Sequence, residues 1–305
     1  MGTIALKIDV DTYRGTREGV PRLAAALERS GARATFLFSL GPDHTGRAIK
    51  RVFRRGFLGK VRRTSVTRHY GVRTLLYGVL LPGPHIGRRC ASIMRQIAQR
   101  GFEVGVHTYD HIKWQDGVAH ASGPWTRRQL VLAREEFVRV FERAPEVHGA
   151  AGWQVNEHVP ALERELGFRY ASDTRGTSPF VPLVDGREVP VPQLPTTLPT
   201  LDELIGRADL AGVDPVEHLL ALTEADGDQV FTLHAELEGG TFLEGFKRLL
   251  ATWRARGLHL TDLGSYAQSL QIARLPRCEI VSGTVAGRSG TLATQGKGPP
   301  RGGSV

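Results

Sequence analysis

The chain has only two cysteines, Cys90 and Cys278, among its 305 residues. They lack Cys-x-x-Cys spacing, which excludes a disulfide framework and a thiolate zinc site and fits a reducing compartment. No apolar run approaches the roughly 20 residues that a membrane-spanning helix needs. The first strand-like run begins by residue 3, which leaves no room for a secretory signal. From these absences we expect a cytoplasmic protein that is at most peripheral to a membrane.

Acidic residues are missing between Asp43 and Glu103, whereas basic residues are frequent there. The whole chain carries a net charge of +9 and has a pI near 10.0, which indicates an anionic partner. Apolar residues at positions 49, 52 or 53, 57 and 61 follow helical spacing among the basic ones. This pattern predicts a basic amphipathic helix or a pair of short helices. The run Thr74–Leu81 that follows is apolar but too short to span a bilayer.

A basic amphipathic element followed by a short apolar run is typical of a segment that lies in a membrane interface. We therefore expect residues 44–100 to form a basic insert that contacts an anionic membrane surface. The side chains expected to meet the lipid are Arg51, Phe53, Arg54, Arg55, Phe57, Arg62 and Arg63. The alternative is a solvated basic face whose apolar side covers the rest of the fold.

Outside this segment, short strand-like runs alternate with helical patterns. Strands are predicted at 4–8, 34–38, 102–106, 147–150, 168–171, 229–233 and 258–260, and helices at 16–30, 126–141, 156–166, 214–223 and 242–256. This alternation predicts parallel strands with helices outside them, as a barrel or an open sheet. We expect a single such domain over residues 1–272, with an irregular surface crossing that contains a short strand over 179–199. The glycine-rich residues 283–305 are expected to form a disordered tail.

Five polar side chains stand at the ends of predicted strands. Asp9 and Asp11 follow the first strand, His107 and His111 the third, and His234 a later one. Carboxylates two apart on a strand share a face, and histidines four apart can converge. One carboxylate and two imidazoles make a three-ligand site with open positions, as in hydrolytic metal sites. The other carboxylate is then free to act as a base, so the sequence predicts a metal-assisted hydrolase.

These motifs resemble those of the polysaccharide deacetylase family of carbohydrate esterases. Over roughly residues 3–270, longer runs resemble the cytoplasmic branch that deformylates 4-deoxy-4-formamido-L-arabinose-phosphoundecaprenol. They are Ile8–Pro21, Phe38–Asp43, Ala150–Trp153, Ser172–Gly176 and Leu233–Gly239. The resemblance implies an α/β fold, a distorted (β/α) barrel with fewer than eight regular strands, here with the basic insert after strand 2.

The resemblance also implies an activity and a place in the cell. The products would be formate and a free 4-amino sugar lipid, which serves lipid A modification and resistance to cationic peptides such as polymyxin. The expected partners are the undecaprenyl-phosphate-linked formamido sugar and the anionic cytoplasmic face of the inner membrane, where the protein would be peripheral.

Carried over by position, the resemblance assigns roles to the five polar side chains. Asp11, His107 and His111 would bind one divalent metal ion, Asp9 would be the catalytic base and His234 the general acid. This ligand set accepts zinc, manganese, cobalt or iron.

The chain departs from the family pattern after the fourth strand. Family members have an arginine there that orients the base, followed shortly by a proline and an aromatic residue, whereas this sequence reads Gly149-Ala-Ala-Gly-Trp153. We expect Arg14 or Arg175 to hold Asp9 instead. Trp153 is expected either to line the sugar-binding site or to pack as a core or lid residue.

Four further polar residues complete the expectations. Asp173 is expected to position His234 or an arginine, by analogy with the family. His120, His148 and His158 have no motif support and are expected to be structural or surface residues.

Two other functions are compatible with parts of the sequence. One is a deacetylase of another cytoplasmic N-acyl sugar. The other is a basic nucleic-acid-binding protein with a vestigial barrel. No helix-turn-helix, zinc-finger or RNA-binding signature supports the latter, so no nucleic acid is expected as a partner.

Overall fold

The computed structural model describes residues 2–48, 72–223 and 227–298. The strands of these residues are β1 Thr3–Val10, β2 Thr35–Ser39, β3 Glu103–Thr108, β4 Val147–His148, β5 Tyr170–Ala171, β6 Val181–Val184, β7 Arg187–Glu188, β8 Gln229–His234, β9 His259–Thr261, β10 Arg277–Gly283 and β11 Leu292–Gln295. Seven of them form one parallel sheet in the order β5-β4-β3-β2-β1-β8, with β9 also paired to β1.

Helices connect these strands. Within the described ranges they are α1 Val20–Ser30, α2 Val72–Leu76, α3 Ile86–Gln99, α4 His111–Gly117, α5 Gly123–Phe141, α6 Val159–Leu166, α7 Leu201–Leu204, α8 Pro215–Leu222, α9 Leu243–Ala255 and α10 Leu263–Ser269. Two π-helical turns, Gly15–Gly19 and Leu237–Thr241, follow β1 and β8. The predicted alternation is confirmed, and the sheet with its helices forms an α/β half-barrel.

Alternation along β1 divides its side chains between two environments. Ile4, Leu6 and Ile8 pack in the large cluster that contains the buried faces of α1, α3, α5 and α9. The opposite face carries Ala5, which packs in a smaller cluster inside the barrel, and then the polar residues Lys7 and Asp9. The barrel interior is therefore apolar at its amino-terminal end and polar at the carboxyl ends of the strands.

The segment 191–198 spans the gap between the edge strands β5 and β8. The Leu194 amide donates to the Ala171 carbonyl at 2.7 Å, and the Leu198 amide donates to the Val230 carbonyl at 3.2 Å. Gln193 and Leu194 are fully buried. The predicted surface crossing is therefore wrong for this part, because the segment satisfies both sheet edges and its side chains fill the barrel.

The C-terminal hairpin, β10 and β11 with the loop 284–291 between them, replaces most of the predicted disordered tail. The strands pair antiparallel, and β11 also exchanges backbone hydrogen bonds with Arg175. Leu292 and Ala293 are buried. The prediction is wrong for residues 283–298, because backbone pairing orders a segment whose composition offers few apolar anchors. Residues 299–305 lie outside the described part.

The basic segment 49–71 also lies outside the described residues, together with all seven side chains that were expected to meet lipid. In the loop that follows α2, Val79, Leu80 and Leu81 are 45%, 76% and 39% exposed. Within the described ranges, no helix has the length and apolar character needed to cross a bilayer.

Candidate metal centre

Asp11, His107 and His111 come together where β1 and β3 end. Asp11 follows β1 directly, His107 is the penultimate residue of β3, and His111 begins α4. Asp11 Oδ1 is 3.3 Å from His107 Nε2 and 3.4 Å from His111 Nε2. One donor atom from each residue lies within 4.8 Å of the others. The structure thus brings the three predicted metal ligands together.

Hydrogen bonds around the cluster fix its histidines. His107 Nδ1 is 2.6 Å from the Gly149 carbonyl oxygen, which can only accept, so Nδ1 carries the hydrogen and Nε2 presents its lone pair towards Asp11. Asp110 caps the start of α4 by accepting from the Lys113 amide at 3.1 Å. These contacts orient the His107 imidazole and fix the turn that carries His111.

The cluster fits a divalent cation. Asp9 Oδ1 and Asp11 Oδ1 are buried and have no hydrogen-bond partner in the described structure, which would leave lone pairs unsatisfied without a cation. Burial raises the pKa of Asp11, but His111 and His107 outweigh it and hold that pKa far below its usual range. A carboxylate oxygen and two imidazole nitrogens are borderline donors that suit zinc, manganese, cobalt or iron.

Asp9 is buried beside a lysine that sequence reasoning missed. Lys7 is fully buried, and its Nζ lies 3.5 Å from Asp9 Oδ2 and donates to the Ser172 carbonyl oxygen at 2.7 Å. The ammonium group also lies 5.4 Å from the centre of the Trp153 ring. The signal was present: Lys7 precedes Asp9 by two residues and therefore shares its face of β1.

Lys7 takes the place that was expected for Arg14 or Arg175. Arg175 forms its ion pair with Glu203, and the described ion pair of Arg14 is with Glu18. The expectation is wrong for Arg175, which is buried in the ion pair with Glu203, whereas Lys7 lies on the same face of β1 as Asp9.

His234 ends β8 directly beside Asp9, its register partner on β1. Its Nδ1 lies 3.6 Å from Asp202 Oδ1. Burial opposes the imidazolium, but the carboxylates of Asp202 and Asp11 outweigh it and raise the pKa of His234 to about 9. This raised pKa favours the protonated imidazole. Asp202 lies on the one-turn helix α7, and no motif in the sequence indicated it.

Asp173 contacts His148 rather than His234, which corrects the expectation. Its Oδ1 is 3.1 Å from His148 Nδ1, and Glu163 Oε1 is 2.6 Å from the same nitrogen. Burial lowers the pKa of His148, but Asp173 and Glu163 outweigh it and raise that pKa to about 10. Asp173 Oδ1 also accepts from the Ala150 amide at 2.7 Å. Through the Ala150 amide, this buried ionic cluster contacts the loop whose Gly149 carbonyl oxygen accepts from His107.

The other two histidines without motif support lie away from this cluster. His120 is exposed. His158 is partly exposed beside Glu157, with 3.6 Å between Nε2 and Oε1. Their positions agree with the expectation of surface residues.

Trp153 is buried, with an unusual backbone φ of 51°. Its Nε1 donates to Thr196 Oγ1 at 3.2 Å, and its ring meets His234 edge-on with 6.3 Å between ring centres. Of the two expected roles, the structure supports that of a packed residue. Such a strained conformation beside polar groups is typical of functional sites.

Two glutamates after β8, also missed from the sequence, connect the loops of the site. Glu236 Oε1 accepts from the Thr12 amide at 2.8 Å and from the Asp11 amide at 3.2 Å. Burial and the nearby Asp11 raise the pKa of Glu236 to about 8. Glu238 Oε2 accepts from the His234 amide at 2.8 Å. The sequence did contain an indication of them, because Glu236 and Glu238 follow His234 at every second position directly after a buried strand.

A cavity of about 270 Å³ lies beside Glu236, between the two π-helical turns. Its lining includes Arg14, Arg22 and Glu18. Glu236 thus contacts the backbone of Asp11 and Thr12 and also lines this cavity.

Comparison with known proteins agrees with this geometry. The chain is 34% identical over 292 residues to a protein of Shewanella sediminis named as a 4-deoxy-4-formamido-L-arabinose-phosphoundecaprenol deformylase, covering 96% of this chain and 94% of the relative. It is 30% identical over 285 residues to a protein of the same name from Wigglesworthia glossinidia brevipalpis, covering 93% of this chain and 99% of that one.

Solved structures share the fold at lower identity. A structure described as a polysaccharide deacetylase from Mycobacterium smegmatis superposes with a TM-score of 0.63 at 18% identity, over 93% of this chain and 96% of the other. An allantoinase superposes with a TM-score of 0.58 at 15% identity, over 87% and 89% of the two chains. The polysaccharide deacetylase family model matches residues 2–171, which contain β1 to β5 and every candidate metal ligand. The chain is therefore a member of the polysaccharide deacetylase family.

Proposed function

We propose that this protein is a metal-dependent deformylase of 4-deoxy-4-formamido-L-arabinose-phosphoundecaprenol. The observation that carries the proposal is the convergence of Asp11, His107 and His111 beside Asp9 and His234. The likeness to proteins named for this reaction, over nearly the whole chain, supports the choice of substrate.

In the proposed enzyme Asp11, His107 and His111 hold one divalent ion. When bound, this ion would supply the Lewis acidity that activates a water molecule and polarises the formyl group. The three side chains leave coordination positions open, as a catalytic site requires.

Asp9 is the proposed base. Its Oδ1 is free of protein hydrogen bonds in the described structure, whereas Oδ2 faces Lys7. The carboxylate can therefore accept the proton of the attacking water through one oxygen while Lys7 holds the other.

His234 is the proposed acid. The attacking oxygen forms a bond to the formyl carbon, and the bond from that carbon to the sugar nitrogen then breaks. An amine anion is a poor leaving group, so His234 donates a proton to the nitrogen as it departs. The products are formate and the free 4-amino sugar, still attached to its lipid.

The products and the charge of the chain suggest the biological context. Freeing the amine gives the sugar a positive charge, which suits a role in lipid A modification and resistance to cationic peptides. We place the enzyme at the cytoplasmic face of the inner membrane, because its substrate carries a polyprenyl anchor and segment 49–71 is basic. Arg14, which lines the cavity beside Glu236, is a proposed contact for the phosphodiester.

The proposal is tested by incubating purified protein and a divalent cation with the lipid-linked formamido sugar. Mass spectrometry should show loss of the formyl group, and an enzymatic assay should detect an equal amount of formate. The acetamido analogue is the control for acyl selectivity. Faster turnover of the acetamide would favour a deacetylase of another N-acyl sugar, and no turnover of either would contradict the proposal.

The first prediction concerns the metal. Asp11→Ala, His107→Ala and His111→Ala should each abolish formate release and weaken metal retention, because two remaining protein ligands hold an ion poorly. Metal content after dialysis, measured by mass spectrometry, checks this. Asp9→Asn is the matched control, which should abolish activity and retain the metal. If Asp9→Asn lost the metal as completely as Asp11→Ala, the division of roles between the two carboxylates would be wrong.

The second prediction concerns the acid. His234→Ala should lower kcat for the formamide by about 10²–10⁴, the usual range for loss of a general acid. An aryl ester, whose leaving group needs no proton, should lose much less. His120→Ala, at an exposed histidine, should change neither rate. Equal losses on amide and ester would show that His234 has a binding or structural role.

The third prediction concerns the basic segment. Each Lys or Arg near an anionic membrane contributes roughly 1 kcal/mol to binding. Changing Arg51, Arg54, Arg55, Arg62 and Arg63 to glutamate should therefore release the protein from anionic liposomes in a sedimentation assay. It should also lower turnover of the lipid-linked sugar, while a water-soluble formamido sugar is turned over as before.

The control for this variant carries five charge reversals at exposed arginines elsewhere. These are Arg127, Arg128, Arg164, Arg169 and Arg274. It should keep more liposome binding than the first variant, although the net charge is the same. Equal release by both variants would mean that net charge alone attracts the protein, and full binding by the first would make the segment an ordinary solvated face.

A further inference from the structure

We propose that Arg288, in the loop of the C-terminal hairpin, is a positioning residue for the general acid His234. This inference rests on the proposed function and deepens it. Arg288 lies beyond the part of the chain that the family model matches.

Arg288 contacts three residues of the turn that carries Asp202. Its Nη1 is 3.0 Å from Asp202 Oδ2, its Nε donates to Glu203 Oε1 at 2.9 Å, and its Nη2 donates to Thr200 Oγ1 at 3.3 Å. Asp202 Oδ1, which accepts from Arg288 Nη2 at 3.3 Å, lies 3.6 Å from His234 Nδ1. One guanidinium group thus fixes the carboxylate that faces the general acid.

The same guanidinium group also fixes the second neighbour of the acid. It lies over the Trp153 ring at 4.9 Å, in the range of a cation–π contact. That ring meets His234 edge-on. Arg288 therefore contacts both groups that flank His234, one polar and one aromatic.

Arg288 holds Asp202 together with Thr200, whose Oγ1 donates to Asp202 Oδ1 at 2.5 Å. α7 has only four residues, and the Asp202 side chain is 37% exposed. A half-exposed carboxylate on one turn of helix can rotate towards water. Two charge-assisted contacts from a planar guanidinium restrict that rotation.

The loop is shaped to deliver Arg288 to this turn. Gly287 has φ 83°, and a Cβ there would lie 2.2 Å from the Glu203 carbonyl oxygen. Only glycine allows both the conformation and the approach. Gly290 in the same loop has φ 81° but open space around its Cβ position. Gly287 therefore differs from Gly290 in its close contact with the turn of Asp202, not in its backbone conformation.

Arg288→Gln tests the role. It should lower kcat for the formamide by about tenfold to a hundredfold, the effect of misplacing a catalytic group. KM, metal content and turnover of an aryl ester should stay close to the wild-type values, since neither metal binding nor attack on the ester needs the acid. Arg288→Lys should restore part of the loss, because it keeps the charge without the planar fork.

Two matched pairs separate this role from general stability. Arg277→Gln removes an arginine from the same hairpin, where it pairs with Glu188, and should leave kcat unchanged. Gly287→Ala should reproduce the amide-selective loss of Arg288→Gln, whereas Gly290→Ala, with comparable backbone strain, should not.

Equal losses on amide and ester, a rise in KM alone, or unchanged kinetics in Arg288→Gln would each overturn the inference. A crystal structure of Arg288→Gln tests it without any substrate: Asp202 should turn away from His234. If Asp202 stayed in place, the inference would fail even for an active deformylase. If the wild type did not turn over the formamide, the proposed function would fail, and the Asp202 position would still decide the role of Arg288.

Discussion

The buried ion pair between Lys7 and Asp9 is the interaction on which the rest of the site depends. Lys7 is fully buried, so its ammonium group would be costly without a partner. It has two: Asp9 Oδ2 at 3.5 Å and the Ser172 carbonyl oxygen at 2.7 Å. Removing one partner of a buried pair typically costs about 3–5 kcal/mol, because the other charge stays buried. Lys7 therefore connects the proposed base on β1 to Ser172, which directly follows β5.

Around this pair, the loop after β4 is built to accommodate both Lys7 and the metal ligands. A Cβ at Gly149 would lie 2.3 Å from Leu37 Cδ1 and 3.2 Å from Lys7 Cε, so a side chain there would clash with Leu37 and crowd the lysine. The carbonyl of the same residue orients His107. The ionic cluster of Asp173 and His148 then holds the next amide of the loop. This loop thus contacts Lys7, the candidate metal ligand His107 and the buried ionic cluster.

The sequence predicted the residues that lie at strand ends and missed those that reach the site from elsewhere. Asp9, Asp11, His107, His111 and His234 could be found because strand periodicity and β-α order bring the carboxyl ends of parallel strands to one rim. Asp202 and Arg288 could not, because neither a one-turn helix nor a glycine-rich loop has a periodicity that reports its tertiary contacts.

The sequence also contained a signal that Lys7 is the partner of Asp9. A lysine in an otherwise apolar strand, two residues before a candidate base, shares the face of that base and is buried with it. The family pattern of an arginine after the fourth strand drew the interpretation towards arginines instead. The tail was misjudged for a related reason: composition describes apolar content, whereas backbone pairing with β10 and Arg175 orders residues 292–295.

The most direct test of this account is the activity of Lys7→Met in protein that retains its metal. The methionine fills similar volume without the charge, so the three ligands should still bind the ion while Asp9 loses the group that holds it. We predict normal metal content and formate release at least about 10²-fold slower than in the wild type, the cost of a misplaced catalytic group. Lys247→Met, at a lysine on α9 that pairs with Glu244, should show wild-type release. Wild-type activity in folded, metal-loaded Lys7→Met would contradict the claim that Lys7 positions the base.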